Sequence, residues 1–167
     1  MILHLPTALL GQALNDSLMS TFYNKTISHY FADTSIVKRN TKFENILLQT
    51  DFESSQLLKN FNKNKFTYFT SKIDLRSFLK KPFKKNNGRT IYRISHTVLD
   101  KDTIDVNISG SELSNVTRKA LTINIWCSGD MGYIPAGRFI FDQLSESWTF
   151  RSSEEIRRSL MTNRREE

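Results

Sequence analysis

The sequence predicts an α+β domain: a curved antiparallel sheet of about five to seven strands, with helices from the N-terminal, middle and C-terminal parts of the chain packed on it. Three observations carry this. Apolar residues recur at spacings of three and four near the start of the chain, and a helix-capping pattern stands near its end. Between Tyr92 and Phe150 they alternate at period two, the mark of half-buried antiparallel strands. The chain has 167 residues and 12 phenylalanines, enough for one sizeable core and too few residues for two. The expected organisation is a single domain, with a helical and mixed part over 1–88, the sheet over 89–151 and a helix over 152–167.

In chain order, Leu9, Leu10, Ala13, Leu14, Leu18 and Phe22 lie at helical spacing behind Pro6, which predicts a helix from Thr7 to Phe22. Lys25 to Arg39 holds Thr26, Ile27, Tyr30, Phe31, Ile36 and Val37 around a turn-forming Ala-Asp-Thr-Ser, which predicts two short strands. Phe43 to Leu58 is ambiguous, and a short helix over 52–60 is preferred. Phe66 to Ser71 reads as a strand. Asp74 to Lys81 fits a short helix with Leu75, Phe78 and Leu79 on one face, ended by Pro82.

After the polar loop Lys84 to Gly88 the period becomes two. Tyr92, Ile94, His96 and Val98 form one alternating set, Ile104, Val106 and Ile108 a second, and Leu121, Ile123, Ile125 and Cys127 a third. Arg138 to Phe141 and Trp148 to Phe150 follow, joined by the polar turn 142–147. Short connections favour a meander. Ser152 and Glu155 form a capping box that opens the last helix.

One cysteine, Cys127, rules out an internal disulfide and a four-cysteine zinc site. Its phase with Leu121, Ile123 and Ile125 makes it a buried thiol. The three histidines, His4, His29 and His96, follow no metal-binding spacing, and no metal or cofactor is expected. Asp100 and Asp102 read as turn residues, and no phosphate-cradling loop or nucleophile motif is present. The start of the chain lacks a basic and apolar leader pattern, and no stretch is long and apolar enough to span a membrane. The compartment is left open.

The net charge of +7 is uneven. Between Lys59 and Arg93 eleven Lys and Arg stand against the single acid Asp74, so the rest of the chain is net acidic. Lys80, Lys81, Lys84 and Lys85 are the densest cations, interleaved with Phe78 and Phe83, and are the candidate contacts for a nucleic acid or other polyanion. The other distinctive stretch is Trp126 to Phe139, which holds three of the six glycines. Glycine serves where φ must be positive or backbones approach closely. The loop reads as a bulged connection reshaping the sheet edge, with Tyr133 and Arg138 as candidate partner contacts.

The run WCSGDMGYIPAGRFIFDQLSESWTF, following YRISHTVLDKDTIDVNIS, resembles the end of small uncharacterised bacterial proteins. It is also similar to the cone-shaped sheets of nuclear-transport-factor-like and cystatin-like folds. The resemblance covers roughly residues 90 to 150. It implies a fold and carries over no catalytic residue. The expected function is a non-enzymatic binding or interaction domain contacting a protein or small ligand. The alternatives are polyanion binding through 59–93, or an enzyme with a pocket in the sheet's concave face.

Overall fold

A computed structural model describes residues 16–32, 45–50, 56–71, 75–76, 79, 88–116, 121–125 and 134–163. Its elements are α1 (Asp16–Tyr30), β1 (Ile46–Thr50), β2 (Asn60–Phe61), β3 (Asn64–Phe69), β4 (Thr90–Asp100), β5 (Thr103–Val116), β6 (Leu121–Ile125), β7 (Gly137–Asp142), β8 (Ser147–Ser152) and α2 (Ser153–Asn163). The strands form one curled sheet in the order β2-β3-β1-β4-β5-β7-β8, with β6 also paired to β5. The α+β class and the curved sheet are as the sequence predicts.

The sheet is mixed rather than antiparallel, because β1 runs parallel to both of its neighbours, β3 and β4. The sequence hides β1 because its run Ile46-Leu47-Leu48 is buried throughout. Ile46 and Leu48 enter the main core with α1, whereas Leu47 enters a second core with Phe69, Leu75, Leu79, Ile91 and Leu113 on the other face. A strand covered on both faces reads as a continuous apolar run and not as an alternation, so period-two reading passes over it.

The helices also depart from the sequence reading. Lys25 to Tyr30 belongs to α1 and not to a hairpin strand. Met19, Phe22, Tyr23, Thr26, Ile27 and Phe31 are all buried along one side of this segment. That stripe at threes and fours outweighs the weak strand preference of Thr26, Ile27 and Tyr30. The predicted helix over 52–60 does not form at its described end, where Asn60 opens β2. Of the predicted middle helix only Leu75, Arg76 and Leu79 lie among the described residues. Leu75 and Leu79 are buried, and the Leu75 amide donates to the Ser71 carbonyl at 3.0 Å, one helical turn back. Residues 7–15, 33–39 and 164–167 of the other predicted elements lie outside the described residues.

Helix α1 packs its aromatic stripe onto β4, β5 and β7. Phe22 stacks on Phe139 with ring centroids 3.9 Å apart, and Phe31 meets Tyr92 edge-on at 5.0 Å. Gly137 permits the approach. A Cβ there would stand 2.5 Å from the Phe150 ring and 2.9 Å from Thr26 Oγ1, closer than real side chains come. The glycine is therefore set by the space between helix and sheet.

Strands β4 and β5 make a long hairpin, with Ile94 opposite Ile108 and a bulge between Val98 and Asp100. β6 and β7 then lie along the same edge of β5, both antiparallel to it. Between the pairs Ser111–Ile125 and Val106–Gly137, β5 advances five residues while the β6–β7 side takes twelve. β6 and β7 thus share one edge of β5, and residues 126–133 of the glycine-rich segment between them lie outside the described residues.

The C-terminal helix starts as the capping box requires. The Ser152 amide donates to Glu155 Oε2 at 2.7 Å, and the Glu155 amide donates to Ser152 Oγ at 3.3 Å. The bonds from the Ser152 amide and hydroxyl hold the Glu155 carboxyl below its ordinary range. Ser152→Ala is expected to cost about 1 kcal/mol of stability, read from a urea unfolding midpoint. No change would show that α2 is held by its packing on β7 and β8 alone.

Candidate functional site

Of the residues singled out from sequence, Arg138 is described, whereas Tyr133, Lys80, Lys81, Lys84 and Lys85 lie outside the described residues. Arg138 of β7 stands opposite Asp105 of β5 and Arg151 of β8, and Asp105 stands opposite Thr97 of β4. Strand alternation places this row on the sheet face away from Phe139, Ile104 and α1. Arg138 Nε donates to Asp105 Oδ1 at 2.7 Å and Nη2 donates to Oδ2 at 2.9 Å. The side chain of Asp105 is only 1% exposed. A carboxylate that deep needs a charged, forked donor, and Arg138 supplies it. The pair joins β5 to β7 where their ladder begins, so Arg138 is first a structural partner of Asp105.

The basic segment divides in a similar way. Lys59, Lys63, Lys65, Arg76 and Arg93 are exposed. The aromatics interleaved with them turn inward: Phe66, Phe69 and Tyr92 are buried. The Tyr68 hydroxyl donates to the Leu58 carbonyl at 2.6 Å, and burial pushes its pKa up, so it stays protonated. These rings fill the core and the five exposed cations lie on the outer face, whereas Arg89 is buried and donates to the Asn45 carbonyl. Phe61 and Tyr68 are partly buried and pack against the same core, so the described aromatics of this segment are committed mainly to packing.

A different region gathers exposed aliphatic side chains. β1 ends opposite Ile94, but β4 continues to Asp100. The stretch 95–100 pairs with β5 on one side and, among the described residues, has no strand on the other. Val98 is 51% exposed and Leu99 50%. The turn after β4 is fixed by the Asp102 amide, which donates to Asp100 Oδ1 at 2.8 Å. The β7–β8 turn lies at the same end of the sheet, because the Phe141 amide donates to the Asp102 carbonyl and Gln143 Nε2 to Asp102 Oδ2.

That second turn is also closed by side-chain hydrogen bonds. Asp142 accepts from the Ser145 hydroxyl at 2.8 Å and from the Leu144 amide at 3.0 Å, and these bonds, the first above all, hold its carboxyl below the ordinary range. Glu146 takes a positive φ of 49° to close the turn. The result is Leu144 held outward, 98% exposed. In these two turns Asp100, Asp102, Asp142 and Glu146 stand against the cation Lys101. Leu144 carries a signal visible in the sequence, an aliphatic residue inside a polar turn. Val98 carries none, since its phase predicts an inward side chain.

His96 links this end to α1. Its Nδ1 lies 2.9 Å from the Tyr23 hydroxyl, and desolvation lowers its pKa. The unfolded chain therefore binds this proton more readily than the native one. Stability is expected to be fully present above the ordinary histidine value of about 6.5 and to fall as pH drops through it toward the lower native value. Thermal unfolding of wild type and His96→Gln at about pH 7.5 and pH 5 checks this. The variant should lose less stability on acidification, and an equal loss would contradict the assignment.

Among the described residues no three His, Cys, Asp or Glu side chains gather as a metal-binding group, and no helix is long and apolar enough to cross a membrane. Asn24, part of an Asn-x-Thr sequon, accepts from the Leu58 amide at 2.7 Å and donates to the Gln56 carbonyl at 3.1 Å, which gives it a structural task. Comparison with protein-family models, with curated proteins and with solved structures finds no match to this chain.

Proposed function

We propose that the chain is a non-enzymatic interaction domain that contacts a protein partner through the end of the sheet where β4 overhangs β1. The observation that carries this is the side of β4 over 95–100 that no described strand covers, with Val98 and Leu99 both about half exposed. A strand edge that no described strand covers and that presents aliphatic side chains is a surface natural proteins otherwise blunt with charge, proline or a cover. Leu144, fixed outward on the neighbouring turn, adds to the same end. The two sequence-based alternatives find less support among the described residues. The described rings of the basic segment face the core, and the α1 stripe fills the sheet face that it covers with packed aromatics.

The test is the double variant Val98→Lys/Leu99→Lys, expressed with an affinity tag in the native cells. Both positions are exposed, so stability should stay within about 0.5 kcal/mol of wild type. The partner that co-purifies with wild type should be lost. Equal retention of every co-purifying protein by the two chains would contradict the interaction reading.

A further inference from the structure

We propose that the edge of β4 over 95–100 receives an extended, basic segment of a protein partner as an added strand. This rests on the interaction reading above and specifies its chemistry. The sheet offers other edges for comparison. β2 is only two residues long, too short to template a strand. β8 carries Arg151 and passes directly into α2 through the Ser152 cap. The β4 overhang is six residues, about the usual length of a strand, with no lysine, arginine, proline or acid before Asp100.

Three features of the edge define its occupant. No strand among the described residues pairs with this edge beyond Ile94, which calls for an extended backbone, because an added strand supplies alternate donors and acceptors at the right spacing. Val98 and Leu99 call for aliphatic or β-branched side chains on the incoming strand, since cross-strand neighbours on one face pack against each other. The bulge at Leu99 releases it from a paired position on β5, which leaves it for the newcomer. Asp100, Asp102, Asp142 and Glu146 in the turns, against Lys101, call for cations at the incoming segment's end nearest the turns. A second copy of this chain meets the first two demands but brings its own acidic turns, and so fits the third less well.

The test uses the full chain, labelled with nitrogen-15, and an acetylated peptide of alternating threonine and valine with a pair of lysines at one end. Amide exchange is followed residue by residue. On saturation, the amides within 95–100 that point away from β5 should exchange at least about tenfold more slowly, with little change in β2 or β8. A peptide methylated on alternate backbone nitrogens should not protect them. Replacing its lysines by glutamates should weaken binding at least about tenfold at low salt, and the difference should shrink as salt is added.

Failure of the lysine peptide to protect these amides would overturn strand addition, as would equal binding of the methylated peptide or protection of β8 in their place. Concentration-dependent protection in the free protein would identify the occupant as a second copy and would also overturn it. If the Val98→Lys/Leu99→Lys variant loses its partner while the peptide leaves the edge unprotected, the interaction reading stands and strand addition falls alone.

Discussion

Arg138→Ala is expected to destabilise the fold by about 3 kcal/mol, measured by urea unfolding. The substitution removes both bonds to Asp105 and leaves a carboxylate that is only 1% exposed without its forked donor. The Arg138 side chain is 31% exposed, which lets water reach part of the gap and keeps the cost toward the low end for a broken buried pair. The double variant Asp105→Val/Arg138→Met should recover much of the loss, because replacing both charges by apolar groups removes the unpaired carboxylate. A cost under about 1 kcal/mol for Arg138→Ala would show that the pair does not hold β5 to β7.

Phe139→Ala is expected to cost more, about 3–5 kcal/mol. Phe139 is 3% exposed, stacks on Phe22 at 3.9 Å and meets Phe150 at 5.1 Å. It is the point at which α1, β7 and β8 converge, so its removal leaves a cavity that a helix pinned elsewhere by Ile27 and Phe31 cannot readily close. Leu144→Ala serves as the control, since a side chain that is 98% exposed should change stability by less than about 0.5 kcal/mol. Equal effects at the two positions would contradict the packing of α1 on β7.

Most of the second half of the fold is legible in the sequence. The alternations at Tyr92 to Val98, Ile104 to Ile108 and Arg138 to Phe150 fall on β4, β5, β7 and β8, and Ser152 with Glu155 marks the start of α2 to the residue. The first half hides its structure for two physical reasons. Ile46-Leu47-Leu48 is buried on both faces, so it has no period to read. Thr26, Ile27 and Tyr30 favour strands locally, and only the stripe from Met19 to Phe31, which tertiary packing enforces, makes them helical.

The candidate site is less legible than the fold. Arg138 stands out in sequence, but its partner Asp105 sits in an ordinary polar phase of β5, and only strand pairing brings them together. The overhanging edge depends on β1 stopping opposite Ile94 while β4 runs on, a relation between two strands well separated in the chain. No local pattern encodes that difference in length.

Binding of the partner at this end of the sheet is tested most directly by placing a photo-reactive amino acid at Leu99, and in separate chains at Leu144 and at Lys63 of the opposite region, then irradiating native cells. An adduct of one defined higher mass is expected from positions 99 and 144, and none of that mass from position 63. Adducts from position 63 alone, or the same adducts from all three, would contradict binding at the β4 overhang.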